Sequence, residues 1–235
     1  MLNIIMEKHI VSQKYDKAFV TGCDEKTEWQ LPWFLENYYR WNTIPLVIAD
    51  FGMSEDMKRF TRTTPIKGML ERRTDMAFQK GWFFKPITMY SAPANEAFWI
   101  DTDCEILGNI ENAFRYIQND KLCMAIDRPW LKRRKEEWYN SGVVGWRGKP
   151  DILRMWAEQT KATPNVGDQE VLHTMLNPIT RMKYITELPN EYNWLRLQIE
   201  NDNEDSPKKK IMHWTGEKGN DRIRGKMKVK EAMRA

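Results

Sequence analysis

The sequence predicts an α/β fold, a sandwich of helices around a mostly parallel central sheet. Three observations carry this expectation. Short apolar runs bounded by turn residues alternate with stretches of helical periodicity along most of the 235 residues. No internal repeat or low-complexity linker breaks the alternation. Hydrophobic residues make up 41% of the chain and charged residues 30%, which suits one globular unit with a sizeable core. We therefore read 1–235 as a single domain with a basic tail from about 219 to 235.

The elements follow in order. Residues 18–22 (AFVTG) form a buried strand. Thr27 and Gln30 match a capping box, and Leu31, Phe34, Leu35 and Tyr38 then fall at helical spacing. Residues 45–50 (PLVIAD) form a second strand, closed by the turn FGMS at 51–54, with a helix around 55–60. A helical stretch from about Thr74 leads to Pro86, which kinks it or opens the next turn. The strand AFWI follows and ends at Asp101. Residues 122–126 (LCMAI) and 141–146 (SGVVGW) are strand-like, with a helix over 151–160. Asp168 reads as the N-cap of a helix carrying Val171, Leu172, Met175 and Leu176. Residues 184–188 and 211–214 are short late strands.

Composition excludes several functions. No apolar run approaches the ~20 residues of a membrane span. The N-terminus lacks a basic segment before an apolar one, so a secretory signal is not expected. Cys23, Cys104 and Cys123 show no paired spacing, which fits a reduced, cytoplasmic setting. A net charge of +4 is too small to mark the whole surface for nucleic acid. The charge is concentrated instead. Lys218, Arg222, Arg224, Lys226, Lys228, Lys230 and Arg234 crowd the C-terminus. That segment reads as a solvated helix or frayed tail, a phosphate-binding flap, or a peripheral contact for acidic lipid. The eleven Trp fill cores or line pockets for sugars and bases.

Residues 97–107 (AFWIDTDCEIL) pose the chemical question. Two ionised carboxylates two residues apart repel, and each raises the other's pKa. A divalent cation between them removes the conflict, and hard cations such as Mg²⁺ and Mn²⁺ prefer oxygen ligands and substrate phosphates. A lone Asp-x-Asp also occurs in solvated turns. This one ends an apolar strand, where ligands of α/β sheets bind. Downstream, Asn140-Ser141-Gly142 opens a strand, Gly167-Asp168-Gln169 opens a helix, and residues 213–218 (HWTGEK) follow a strand.

These marks, in this order, resemble glycosyltransferase family 8 and its relatives, enzymes of the GT-A fold with a Rossmann-like three-layer sandwich. The likeness spans roughly 18–218. It implies a metal site of Asp101, Asp103 and His213, with Mn²⁺ favoured by the imidazole and Mg²⁺ the alternative. It implies that Thr21, Gly22 and Asp24 border the base and ribose of a nucleotide sugar, with Asp101 and Thr102 beside them. Lys85 neutralises a phosphate or snorkels from its helix. Gly216 and Lys218 approach the diphosphate. Asn140, Ser141, Asp168 and Gln169 face the donor sugar and acceptor, with Gln169 nearest the anomeric carbon. The family's usual Lys-Pro-Trp after the late glycine is missing, so Arg222, Arg224 or Lys226 are alternative phosphate contacts.

The expected activity is metal-dependent transfer of a sugar from a nucleotide sugar, of UDP type, to a saccharide or other hydroxyl acceptor, with retention. Trp130, Trp138 and Tyr139, flanking the basic run 132–135, are acceptor-site candidates. A nucleotidyltransferase needs a Gly-rich basic loop after the first strand, where this chain reads TGCDEKTEW. A non-catalytic binding module has no need of a leaving-group metal. Residues 211–218 are expected to be ordered as part of the site, and the chain beyond about Gly225 to be mobile or ordered only with ligand.

Overall fold

The computed structural model describes residues 15–63, 68–70, 85–163 and 165–232. Its central sheet has seven strands. Strand β1 (Tyr15–Cys23) pairs in parallel with β2 (Leu46–Asp50) on one side and β4 (Ala94–Ile100) on the other. Strand β3 (Gly68–Leu70) extends the sheet beyond β2. On the opposite flank β7 (Tyr139–Arg147) lies antiparallel to β4 and to β6 (Leu122–Ile126), and β8 (Ile185–Glu187) closes the sheet parallel to β6. The order is β3-β2-β1-β4-β7-β6-β8. A smaller sheet places β10 (Ile211–His213) between β5 (Cys104–Ile106) and β9 (Trp194–Leu195).

Successive strand residues point to opposite faces, so each central strand feeds two cores. Phe19 and Phe98 face helix α1 (Leu31–Tyr39), where Leu31, Phe34, Leu35 and Tyr38 pack with them as the helical spacing requires. Ala18, Val20, Ala97 and Trp99 face the other way, against Ile152, Leu153 and Trp156 of α5 (Asp151–Ala162) and Val171 and Leu172 of α6 (Asp168–Met175). Trp99, Trp146 and Trp156 are fully buried, so part of the Trp content belongs to the core. The remaining helices are α2 (Glu55–Thr63), α3 (Lys85–Ser91), α4 (Arg128–Arg134), α7 (Pro178–Tyr184), α8 (Arg196–Glu200) and α9 (Gly216–Ala232).

Three local expectations change, and a fourth falls mostly outside the described residues. Thr27 and Gln30 do not form a capping box. Asp24 Oδ1 accepts from the Lys26 and Thr27 N–H groups and the Thr27 hydroxyl, closing a turn before a 3₁₀ segment, Glu28–Gln30. The cap of α6 is Gly167, and Asp168 is the first helical residue, its carboxylate turned to Lys85 instead of its own backbone. The helical stretch expected from Thr74 lies outside the described residues as far as α3, which begins at Lys85 with Pro86 in its first turn. The C-terminal segment is a helix to Ala232, not a mobile tail. Ile223 and Met227, one turn apart, pack into the first core, and Ile223 is fully buried. Lys226 reaches Glu105 at 3.0 Å, Lys230 reaches Glu36 at 3.2 Å, and Arg224 lies over the Trp29 ring. Among the described residues no helix is long and apolar enough to cross a membrane.

Candidate active site

Strands β1, β2 and β4 run in parallel, so their carboxyl ends share one edge of the sheet. The antiparallel β7 brings its first residues to that edge, where the Asp101 N–H donates to the Gly142 carbonyl at 2.9 Å. Asp101, Thr102 and Asp103 make the turn from β4 into β5. Pairing of β5 with β10 sets Cys104 opposite His213 and carries the imidazole to Asp103. The amino end of α6 supplies Asp168 and Gln169.

Lys85 lies at the centre of the cluster and does not snorkel. Its ammonium is buried, 3.2 and 3.3 Å from the Asp101 carboxylate oxygens, 3.2 Å from Asp168 Oδ2, and 3.2 Å from both the carbonyl and hydroxyl oxygens of Ser141. Burial works against its charge, but Asp101 and Asp168 outweigh that, and its pKa lies above the ordinary lysine value. Asp101 also accepts from Trp99 Nε1 at 2.5 Å. Burial, helped by the Asp103 and Asp168 charges, raises the Asp101 pKa despite the pull of Lys85.

His213 Nε2 sits 3.2 Å from Asp103 Oδ1 as an ion-pair contact. Burial opposes the imidazolium, yet the Asp103 carboxylate, and Asp101 behind it, hold the ring above its ordinary pKa. Ligand atoms of Asp103, Cys104 and His213 lie within 4.8 Å of one another. Burial, then the Asp103 and Asp101 charges, push the Cys104 thiol well above its usual range, so it sits there as a neutral thiol. Asp103 Oδ1 and Asp168 Oδ2 are buried oxygens with no directed hydrogen bond among the described residues.

Gly142 is required by this packing. A Cβ there would stand 2.1 Å from His213 Cε1 and 2.5 Å from Nδ1. The Ser141 N–H donates to Gln169 Oε1 at 2.9 Å, which leaves the Gln169 amide nitrogen as its free end. Asn140 is buried, and its carboxamide oxygen accepts from the Gly142 N–H and from Asn193. Thr102 donates to Gln30 Oε1 at 2.6 Å, and Gln30 in turn donates to Asn220 in α9 at 2.8 Å. Gly216, at φ +74°, opens α9, with Lys218 exposed in the first turn. Thr21 is sealed within β1, while Gly22 lies against the Phe51 ring, 2.7 Å from where a Cβ would stand. Trp130 and Trp138 meet with their rings tilted by 41° at 4.7 Å, and Trp138 stacks on His173 at 3.6 Å.

No protein-family model and no curated protein matches this chain. Solved structures do. The glycosyltransferase GlyE of Streptococcus pneumoniae TIGR4 superposes with a TM-score of 0.63 at 16% identity over 87% of this chain. The chain spans 55% of that protein's length. The galactosyltransferase LgtC, solved with donor and acceptor sugar analogs, gives 0.58 at 16% identity, covering 85% of this chain and 87% of its own. Mouse xyloside xylosyltransferase 1 gives 0.53 at 12% identity, covering 85% and 97%. The chain has a GT-A glycosyltransferase fold.

The sequence pointed to Lys85, Asp101, Asp103, Asn140, Ser141, Asp168, Gln169 and His213, and the structure gathers them at one sheet edge. It missed Gln30, Trp99 and Asn193 as partners of that cluster. Their signal was absent because each acts through a long-range contact with a residue over twenty positions away or through its own strand's end.

Proposed function

We propose that this chain is a metal-dependent glycosyltransferase that moves a sugar from a UDP-sugar to a hydroxyl of a saccharide acceptor. One observation carries the reading. Asp103 and His213 meet at the carboxyl edge of a GT-A sheet, Asp103 Oδ1 lying 3.2 Å from His213 Nε2, and Asp101 begins the same turn with its carboxylate on Lys85.

The donor set suits a divalent cation. Two carboxylates and an imidazole favour Mn²⁺, with Mg²⁺ the alternative. Asp103 and His213 would hold it, and Asp101 would share its oxygens between that site and Lys85. When bound, the cation supplies positive charge against the departing diphosphate. Lys85 holds the Asp101 and Asp168 side chains together, 3.2 Å from an oxygen of each. Gln169, its oxygen held by Ser141, can only donate toward the sugar, and a carboxamide so held is a poor nucleophile. Asp168 is tied to the buried Lys85 ammonium, which lowers its nucleophilicity too. Neither group therefore favours a stable glycosyl-enzyme, and we read the reaction as front-side attack with retention, in the manner of glycosyltransferase family 8. Lys218 and the exposed cations of α9 are the phosphate-contact candidates, and a membrane surface is the other use that face allows.

Incubation with a panel of nucleotide sugars and Mn²⁺ tests the class. Free UDP is the expected product. With pyrophosphate added, conversion of the nucleotide sugar to a nucleoside triphosphate and a sugar 1-phosphate would indicate nucleotidyl transfer, and no turnover of any donor would indicate a binding module. NMR of the freshly formed glycoside reads the anomeric configuration, and an inverted product removes the retaining mechanism.

A further inference from the structure

The metal reading rests on His213, and His213 serves as a ligand only if its free lone pair faces Asp103. The hydrogen bonds around the ring decide which nitrogen that is. A backbone N–H can only donate. The Gly142 N–H lies 2.9 Å from a terminal atom of Asn140, so that atom is the carboxamide oxygen. The same oxygen is 2.9 Å from a terminal atom of Asn193, which must then be the donating Nδ2. Asn193 is left to present its oxygen to the imidazole, 3.0 Å from Nδ1. An oxygen acceptor there requires a proton on Nδ1. The neutral ring consequently carries its lone pair on Nε2, 3.2 Å from Asp103 Oδ1.

Asn193 is well placed to enforce this. It is fully buried and directly precedes β9, whose pairing with β10 sets Leu195 opposite His213. Gly142 completes the seat, since no other residue leaves room for the ring against β7.

We propose that Asn193 is the positioning residue of the metal site. It fixes the Nδ1–H tautomer of His213 and aims Nε2 at Asp103, and through Asn140 it ties the imidazole to the strand that carries Ser141. Ligating histidines are held in this way by a partner on the second nitrogen, and loss of that partner weakens metal binding by roughly 10–100-fold. The inference deepens the metal-dependent reading and rests on it for its consequence, but the tautomer itself does not require a metal.

Two measurements on the full chain test it. The first is a two-bond ¹H–¹⁵N spectrum of the metal-free protein, at a pH where the ring is neutral, with the His213 signals assigned by their loss in His213→Gln. The proton is expected on Nδ1. A proton on Nε2 overturns the proposal. The second is Mn²⁺ titration of Asn193→Leu and Asn193→Asp, followed by electron paramagnetic resonance. The Leu variant is expected to bind about 10–100-fold more weakly than wild type. The Asp variant, which keeps an oxygen acceptor but loses the donor to Asn140, is expected to bind more tightly than the Leu variant. Wild-type affinity in a folded Asn193→Leu chain overturns the positioning role. A wild-type chain with the proton on Nδ1 that takes up no Mn²⁺ supports the tautomer assignment and overturns the metal reading instead.

Discussion

Lys85 holds together carboxylates that would otherwise push one another apart. Its side chain and that of Asp168 are 5% and 7% exposed, so the charges are paired away from water. Removing one partner of such a group leaves the other buried and uncompensated, at a cost of about 3–5 kcal/mol. Lys85→Met is therefore expected to lower the urea-unfolding free energy by about that amount. The pH dependence has a definite sign. The folded pKa of Lys85 is raised, so its contribution is complete below the unfolded lysine value and lost as pH rises through the folded one. The stability gap between wild type and Lys85→Met should persist through neutral pH and close only in strongly alkaline solution. A variant as stable as wild type at neutral pH would contradict the central role given to this ammonium. At this scale the sequence was legible where a short motif carries its own chemistry, as at Asp101 and Asp103. It was less so where a role depends on geometry. Asp168 looks like an N-cap because Asp at a helix start usually is one, but a buried ammonium from α3 competes for its carboxylate more strongly than the backbone does.

Among the elements, α9 departs furthest from expectation. Its composition is polar and basic, which suggests a mobile tail, yet Ile223 and Met227 lie one turn apart and face the core. Two apolar positions in a long basic run make a weak periodic signal. The partners that hold the helix, Glu36, Glu105 and Trp29, come from distant parts of the chain. The helix also needs Gly219, because a Cβ there would stand 1.8 Å from the Trp214 carbonyl oxygen. Ile223→Ala is expected to cost about 2–5 kcal/mol, the usual loss for a fully buried Ile. Truncation after Gly225 removes Met227 and the Lys226 and Lys230 contacts and should lower the melting temperature measurably, in contrast to the removal of a solvated tail. Unchanged melting of the truncated chain would restore the reading of a mobile segment. The strands, by comparison, were legible because a short apolar run between turn residues has few other destinations in an α/β chain, and the structure shifts the ends of those expected by at most three residues.

For the whole molecule, the alternation of strands and helices was enough to predict an α/β sandwich with a mostly parallel sheet, and the likeness to GlyE, LgtC and xyloside xylosyltransferase 1 agrees. The sequence did not reveal the antiparallel insertion of β7 beside β4, or the small sheet that carries His213 back to the Asp-x-Asp. Strand direction and pairing across 109 residues, from Cys104 to His213, are set by tertiary packing and leave no local trace. Yet those two features bring the start of β7 and His213 to the edge where Asp101 and Asp103 lie. The central claim is that this edge is a metal–nucleotide site in which Asp103 is a ligand. Calorimetric titration of UDP into wild type and Asp103→Ala, each with and without Mn²⁺, measures it directly. Asp103 follows the strand and carries no core packing, so the variant should fold. We expect wild type to bind UDP tightly only with Mn²⁺, and the variant to bind weakly with or without it. Metal-dependent UDP affinity that survives intact in Asp103→Ala would contradict the claim.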